Sequence, residues 1–190
     1  MKLNNTYFIL RHGQSSSNKY HFVSCWPEKK YNPLTAEGKK QIEKLTPILK
    51  KKKINLIFSS DLLRAKQTAE LIADSLGIKI NFDKKLREMK FGVFNGKGEK
   101  KWKEFFRDRL KRFTKKLAGG ENYRDVRKRT AKFFEVINKK YKNKRILIIS
   151  HGALLSSLQI IAKGLGEAEE KKDGKRFGVK NGELKQLKLK

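Results

Sequence analysis

The 190-residue chain contains a single cysteine, Cys25, and few proline or acidic residues. One cysteine excludes an internal disulfide and a cysteine-rich metal site, and it is typical of proteins from reducing compartments. No apolar run is long enough to span a bilayer, and the apolar segment 7–10, which stops at Arg11, is too short for a signal peptide. We therefore expect a cytoplasmic protein that does not bind membranes.

Negative charge is scarce, since 19 Asp plus Glu stand against 48 Lys plus Arg, a formal net charge of +29. Such a charge attracts anions, either nucleic acid or small phosphorylated molecules. Lysine is spread over the whole length, with no dense basic tail, RNA-recognition signature or zinc-finger spacing. This distribution favours non-specific attraction of polyanions over a specific nucleic-acid site.

Short apolar segments alternate with helical patterns along a chain whose length fits a single domain, residues 1–190. We expect buried strands over residues 7–10, 54–58 and 146–149, and a further short strand over residues 78–82. Short apolar runs bounded by turn residues are typical of parallel strands that are covered on both faces. The pattern predicts an α/β fold.

Two further patterns predict elements outside this alternation. Over residues 99–117 one face is apolar and the rest is mostly Lys and Arg, which predicts a basic amphipathic helix within a lid-like segment at about residues 97–118. A helix lying on an anionic membrane is the alternative. Asn181-Gly182, between the segments 177–180 and 183–189, predicts a β-hairpin.

Two histidines directly follow apolar segments: Arg11-His12-Gly13 comes after residues 7–10, and Ser150-His151-Gly152 after residues 146–149. Because open α/β sheets bind ligands beyond the carboxyl ends of their strands, we expect both imidazoles to face one crevice. Arg64, in the first turns after strand 54–58, is expected to join them. Arginine suits bidentate contact with phosphate oxygens, so the pattern indicates a phosphoryl-group site.

Histidine can act as a nucleophile through a neutral ring nitrogen and form a phosphohistidine intermediate. We expect a carbonyl near Gly13 to hold the other nitrogen of His12 as a donor. Glu88 stands out among the scarce acids, just before a glycine-containing bend, as a general acid. Taken singly, however, a histidine at a strand end is more often a hydrogen-bonded structural residue, and an arginine opening a helix a solvated charge.

Together these residues resemble a known family. Arg11-His12-Gly13-Gln14-Ser15 with Asn18 is similar to the signature of the histidine phosphatase superfamily, the phosphoglycerate mutase-like proteins. Further blocks resemble that family in the same order: Asn32-Pro33-Leu34-Thr35 with Gly38 and Gln41, the segment 59–69, Arg87-Glu88 with Phe91-Gly92 and Gly96, Gly120-Glu121-Asn122 with Arg129, and Ser150-His151-Gly152. Ordered agreement of several blocks is far more specific than one motif.

The resemblance implies a three-layer α/β/α sandwich with a mostly parallel sheet and an antiparallel edge. It also implies that His12 is phosphorylated, that Arg11, Arg64 and His151 form the phosphate pocket, and that Glu88 donates the proton. Asn18 and Ser24 are similar to positions that help to bind substrate. Neither a metal nor a cofactor is implied.

The family contains both phosphatases and bisphosphoglycerate-dependent mutases. Mutases are longer and carry a tryptophan where this chain has Ser17. We therefore expect a metal-independent, acid-type phosphatase that hydrolyses a phosphorylated small metabolite. A phosphoglycerate mutase is the alternative, and a nucleic-acid-associated protein with a vestigial pocket is a third. Monomer and homodimer both stay open.

Overall fold

The computed structural model describes residues 3–108 and 110–187. Its strands are β1 Thr6–Arg11, β2 Leu56–Ser59, β3 Ile80–Phe82, β4 Arg145–Ser150 and β5 Leu184–Gln186. Its helices are α1 Ser16–Lys19, α2 Ala36–Glu43, α3 Thr46–Lys51, α4 Leu63–Leu76, α5 Glu99–Phe105, α6 Lys111–Thr114, α7 Tyr123–Lys140, α8 Gly152–Ala162 and α9 Glu167–Asp173. Short 3₁₀ helices occupy Lys84–Leu86, Gly92–Phe94 and Gly174–Phe177.

The strands form one sheet in the order β3-β2-β4-β1-β5. The pairs β2 with β3, β2 with β4, and β1 with β4 are parallel, and β5 pairs with β1 in the antiparallel direction. The predicted α/β fold with a mostly parallel sheet and an antiparallel edge is confirmed.

Both faces of the sheet are buried, which explains why its central strands are continuously apolar. Alternate side chains of β1 point to opposite faces. Tyr7 and Ile9 join a core cluster that includes residues of α7 and α8, whereas Phe8 and Leu10 join a second cluster with residues of α2, α3 and α4. The sheet is thus the middle of three layers. None of the helices in the described ranges has the length and apolar character needed to cross a bilayer.

The parallel pairing of β1 with β4 sets the position of the site. Its register places Arg11 beside Ser150 at the carboxyl ends of the two strands. His12 and His151, each one residue further on, therefore leave the sheet side by side. The same edge receives the end of β2, where Ser59 lies beside Ile149.

The prediction of one continuous helix over residues 99–117 is wrong. Helix α5 ends at Phe105 and the short α6 begins only at Lys111. Asp108 accounts for part of the break, because its carboxylate accepts the N–H of Leu110 at 2.8 Å, a local turn that competes with helical bonding. The apolar face is split accordingly, since Phe106 is buried and Leu110 is exposed.

The predicted hairpin around Asn181-Gly182 is also wrong, although a turn is present there. The segment before the turn forms a 3₁₀ helix and extended chain instead of a strand, and β5 pairs with β1. Phe177 and Val179 are buried, so this segment packs on the core where a free hairpin strand would face solvent. Residues 188 and 189 of the predicted strand lie outside the described residues.

Helix α7 offers a matched test of this core. Phe134 is fully buried, with its ring centroid 4.8 Å from that of Tyr7, whereas Val136 on the same helix is 55% exposed. We expect Phe134→Ala to lower the free energy of unfolding by about 3–5 kcal/mol. Val136→Ala should change it by less than about 0.5 kcal/mol. Urea denaturation measures both, and equal effects would contradict the assigned packing.

Candidate active site

His12 lies directly beyond β1 and is 2% exposed. Its Nδ1 is 2.8 Å from the carbonyl oxygen of Gly13, and its Nε2 accepts a hydrogen bond from Nε of Arg64 at 3.1 Å. A carbonyl can only accept, so Nδ1 must carry the proton, and an accepting Nε2 must hold a lone pair. The contacts therefore select the neutral tautomer with its lone pair on Nε2.

Close backbone packing holds the turn after His12. A Cβ atom added to Gly13 would lie 2.5 Å from the carbonyl oxygen of Gly38, and one added to Gly38 would lie 2.0 Å from that of Gln14. Both distances are too short for any side chain. The two glycines thus allow the start of α2 to lie against the turn that carries His12.

Arg64 is buried in the first turn of α4, and three of its nitrogens are bound. Besides His12, its guanidinium donates from Nη2 to the carbonyl of Ser24 at 3.1 Å and from Nη1 to Glu28 at 3.0 Å. The second oxygen of Glu28 accepts the N–H of Leu63, the first residue of α4, at 3.1 Å. Glu28 therefore offsets the positive charge of Arg64 and holds its guanidinium in one orientation.

His151 is fully buried beyond β4, and its ring centroid lies 5.1 Å from that of His12. Its Nε2 is 2.9 Å from the hydroxyl oxygen of Ser60, which follows β2. Its Nδ1 has no hydrogen-bond partner among the described residues. The site thus contains a second imidazole, with one ring nitrogen that no described residue binds.

Arg11, the last residue of β1, supplies the second guanidinium. Its Nη1 donates to the carbonyl of Val179 at 3.0 Å, and its buried Nε has no partner in the described part of the chain. Burial lowers the pKa of Arg11, and the nearby carboxylates of Glu88 and Glu99 oppose that shift. An incoming anion would supply both the missing acceptor and further negative charge.

The environment keeps both histidines neutral. Burial lowers the pKa of His12 well below 6.5, and the charges of Arg64 and Arg11 lower it further. Burial and the same two guanidiniums also lower the pKa of His151 well below 6.5. A neutral imidazole keeps a lone pair, which nucleophilic attack requires.

A cavity of about 290 Å³ lies over these groups. Six of the seven residues predicted for the site line it: Arg11, His12, Asn18, Ser24, Arg64 and Glu88. His151 does not line the cavity but lies next to His12. Glu88 is held by the next residue of the chain, because its carboxylate accepts a hydrogen bond from the N–H of Met89 at 2.9 Å.

Asn18 and Ser24 line the cavity, but existing contacts occupy the side-chain oxygen of Asn18 and the hydroxyl of Ser24. The side-chain oxygen of Asn18 accepts from the N–H of Ser15 at 3.0 Å and from Nδ2 of Asn181 at 3.1 Å. The hydroxyl of Ser24 lies 3.4 Å from Glu28, and its carbonyl binds Arg64. Their predicted part in binding substrate stays a prediction.

Sequence reasoning missed Glu28, Ser60 and Asn181. The scarcity of acids that singles out Glu88 applies equally to Glu28, which lies in a loop without periodicity. The sequence indicates only a turn at Asn181, yet its Nδ2 donates to the carbonyl of His12 at 3.1 Å. Only the tertiary fold brings this C-terminal turn to the end of β1.

Comparison with known proteins identifies the family. A family model described as histidine phosphatase superfamily (branch 1) matches residues 7–190. A Hydrogenobacter thermophilus protein named as a phosphoserine phosphatase is 32% identical over 167 residues, 84% of this chain and 79% of that protein. A Salmonella choleraesuis protein named as the phosphoglycerate mutase GpmB is 30% identical over 163 residues, 83% of this chain and 74% of that protein. The chain belongs to the histidine phosphatase superfamily.

Solved structures share the fold. A mycobacterial glucosyl-3-phosphoglycerate phosphatase in complex with VO3 is similar with a TM-score of 0.82 at 26% identity, covering 96% of this chain and 92% of that one. Bacillus stearothermophilus YhfR has a TM-score of 0.82 at 22% identity, covering 98% of this chain and 92% of that one. The phosphoglycerate mutase-like fold expected from the sequence is confirmed.

The two buried histidines predict a pH dependence of stability. Unfolding exposes each imidazole and returns its pKa to about 6.5, so below that pH the unfolded chain binds protons that the folded chain does not. Stability should therefore fall as the pH drops from 6.5 to 5, by up to about 1.4 kcal/mol per pH unit for each histidine.

Urea denaturation at several pH values measures this slope. His12→Gln and His151→Gln should each flatten it, with His21→Gln, at an exposed histidine, as the matched control. An unchanged slope in both buried-site variants would show that these imidazoles are protonated in the folded protein.

Proposed function

We propose that this protein is a phosphomonoester hydrolase that works through a phosphohistidine at His12. The supporting observation is the neutral imidazole of His12, with its Nε2 lone pair directed at a guanidinium over a cavity lined by Arg11 and Arg64. Two guanidiniums suit the charge of a phosphoryl group. Family membership supports the same chemistry.

In the first step, Nε2 of His12 attacks phosphorus and forms a P–N bond while the ester P–O bond breaks. The electron pair goes to the leaving alcohol oxygen, and protonated Glu88 donates its proton to that oxygen. The hydrogen bond that Arg64 makes to Nε2 must first transfer to a phosphate oxygen. Substrate binding thus replaces Nε2 of His12 with a phosphate oxygen as the acceptor of this hydrogen bond from Arg64.

In the second step, a water oxygen attacks the phosphorus of phosphohistidine, and the P–N bond breaks. The electron pair returns to Nε2 of His12, and the Glu88 carboxylate takes the water proton. Inorganic phosphate leaves, and both residues regain their starting states. Arg11, Arg64 and His151 hold the equatorial oxygens and stabilise the charge that grows there.

A phosphoglycerate mutase is the second candidate, because one relative at 30% identity carries that name. The phosphatase is favoured by Ser17, which is buried and bonded to Asn32 where mutases carry a bulky tryptophan. The assembled set of Arg11, His12, Arg64, Glu88 and His151 argues against the vestigial pocket of the nucleic-acid hypothesis. Binding of polyanions by the basic surface stays a prediction.

Trapping the intermediate tests the proposal directly. We expect rapid acid-free quenching with ³²P-labelled aryl phosphate to place the label on the peptide that contains His12, and His12→Gln to abolish both labelling and turnover. Peptide mass spectrometry locates the label. A label on a serine, or none in an active preparation, would refute the mechanism.

Glu88→Gln separates the roles of acid and nucleophile. It should lower the turnover of alkyl phosphates by about 10²- to 10⁴-fold, because their alcohols leave poorly without a proton. Single-turnover experiments isolate the first step, and its rate with an aryl phosphate should fall less. Glu37→Gln, at an exposed acid in α2, is the control. Equal losses for both substrates in single-turnover experiments would reject Glu88 as the acid.

Phosphate release distinguishes a hydrolase from a mutase. We expect hydrolysis of phosphomonoesters without a bisphosphorylated primer, because water reaches the phosphohistidine. A coupled assay with 3-phosphoglycerate measures isomerisation in parallel. Primer-dependent isomerisation with negligible release of phosphate would establish the mutase instead.

A further inference from the structure

Buried polar atoms that lack partners are concentrated around the site. Within residues 3–108 and 110–187, the buried side-chain nitrogen and oxygen atoms without a hydrogen bond are Arg11 Nε, Trp102 Nε1, Arg112 Nε, His151 Nδ1 and Ser157 Oγ. Arg11 and His151 belong to the phosphate site. The remaining three belong to residues that line one other cavity, of about 290 Å³, which we call the side cavity.

The side cavity adjoins the phosphate cavity. Four residues contribute to the lining of both cavities: Val23, Glu88, Phe91 and Glu99. Glu88 therefore lies at their junction, where the proposed mechanism places the bond between phosphorus and the leaving oxygen. A phosphomonoester with its phosphoryl group at His12 would direct its alcohol part into the side cavity.

Aromatic side chains contribute to the walls of the side cavity, beside charged and small residues. The walls contain four aromatic rings, those of Phe91, Trp102, Phe113 and Tyr123. Such rings pack well against a planar partner, in stacked or edge-to-face contact. A cavity of about 150 Å³ holds a benzene ring in another protein, so this cavity has room for a ring with a substituent.

Among the described residues that line the side cavity, Arg112 is a cation without a carboxylate partner, and Glu88 lies at the junction with the phosphate cavity. Lys103 is paired with Glu99 at 2.9 Å, and Glu170 with Arg127 at 3.0 Å. Arg112 stacks on Trp102, with its Cζ 4.5 Å from the ring centroid, and donates one long bond of 3.4 Å to the carbonyl of Phe106. Its guanidinium has no carboxylate partner in the described part of the chain.

Buried donors without acceptors are costly, typically about 1–3 kcal/mol each, and native proteins rarely tolerate several together. Trp102 Nε1 and Arg112 Nε can only donate, and the hydroxyl of Ser157 can donate as well. An occupant with acceptor oxygens would satisfy them. An anionic oxygen would also neutralise Arg112.

We propose that the side cavity binds the alcohol part of the substrate, and that this part is a planar unsaturated ring bearing a carboxylate that Arg112 and Trp102 recognise. The inference rests on the proposed function, since the phosphate site orients the ligand. It identifies Arg112 and Trp102 as specificity-determining residues. An aliphatic polyol phosphate would leave the aromatic rings of the side cavity without a planar partner.

Non-hydrolysable phosphonates test this without the influence of leaving-group chemistry. Isothermal titration calorimetry on the full chain would compare inorganic phosphate, cyclohexylmethylphosphonate, benzylphosphonate and 4-carboxybenzylphosphonate. We expect benzylphosphonate to bind about 2- to 10-fold more tightly than the cyclohexyl compound. The carboxylate should increase the affinity by a further factor of about 10 or more through a charge-assisted hydrogen bond.

Variants locate the effect. Arg112→Met should remove most of the gain from the carboxylate while leaving the affinity for inorganic phosphate unchanged, and Trp102→Phe should reduce the same gain with the aromatic ring retained. Arg107→Met, at an exposed arginine outside the side cavity, controls for the general positive charge and should keep the gain.

The outcomes separate the inference from the proposed function. Equal affinities for the three phosphonates would overturn the inference, and so would an affinity gain from the carboxylate that persists in Arg112→Met. In either case the proposed function would still stand if the protein binds phosphate and His12 is labelled. Failure to bind inorganic phosphate together with failure to label His12 would overturn both.

Discussion

The site depends on the hydrogen-bonding state of one buried imidazole. The Gly13 carbonyl holds the proton of His12 on Nδ1, and Nε of Arg64 lies 3.1 Å from the lone pair on Nε2. Burial beside two guanidiniums lowers the pKa of His12, so the ring stays neutral. A buried cation beside these arginines would be strongly unfavourable. These surroundings keep Nε2 unprotonated, and an unprotonated Nε2 has the lone pair needed to attack phosphorus.

The rest of the molecule serves to maintain this arrangement. Parallel pairing of β1 with β4 brings residues far apart in sequence to adjacent positions, and a core cluster packs on each face of the sheet. Glu28 offsets the charge of Arg64 and anchors it to the first turn of α4. Asn181 binds the carbonyl of His12, so the C-terminal turn supports the same imidazole. These contacts hold the donors in place before a phosphoryl group binds.

Local sequence was sufficient to predict the strands and the residues that follow them. Apolar segments ending in histidine predicted the strands and the meeting of His12 with His151, because parallel strands share one carboxyl edge. It failed where local or tertiary contacts override a pattern: Asp108 forms a turn within an amphipathic stretch, and the segment around Val179 packs on the core instead of pairing with β5. Glu28 and Asn181 reach the site through long-range contacts, which leave no periodic signal in the sequence.

Nitrogen-15 NMR of the full chain, with His12 assigned through His12→Gln, tests the central claim most directly. The account predicts a neutral ring at pH 6, with the chemical shift of Nδ1 in the protonated range and that of Nε2 in the unprotonated range. An imidazolium at pH 6, or a proton on Nε2 instead of Nδ1, would contradict it, because Nε2 would then have no lone pair for attack on phosphorus.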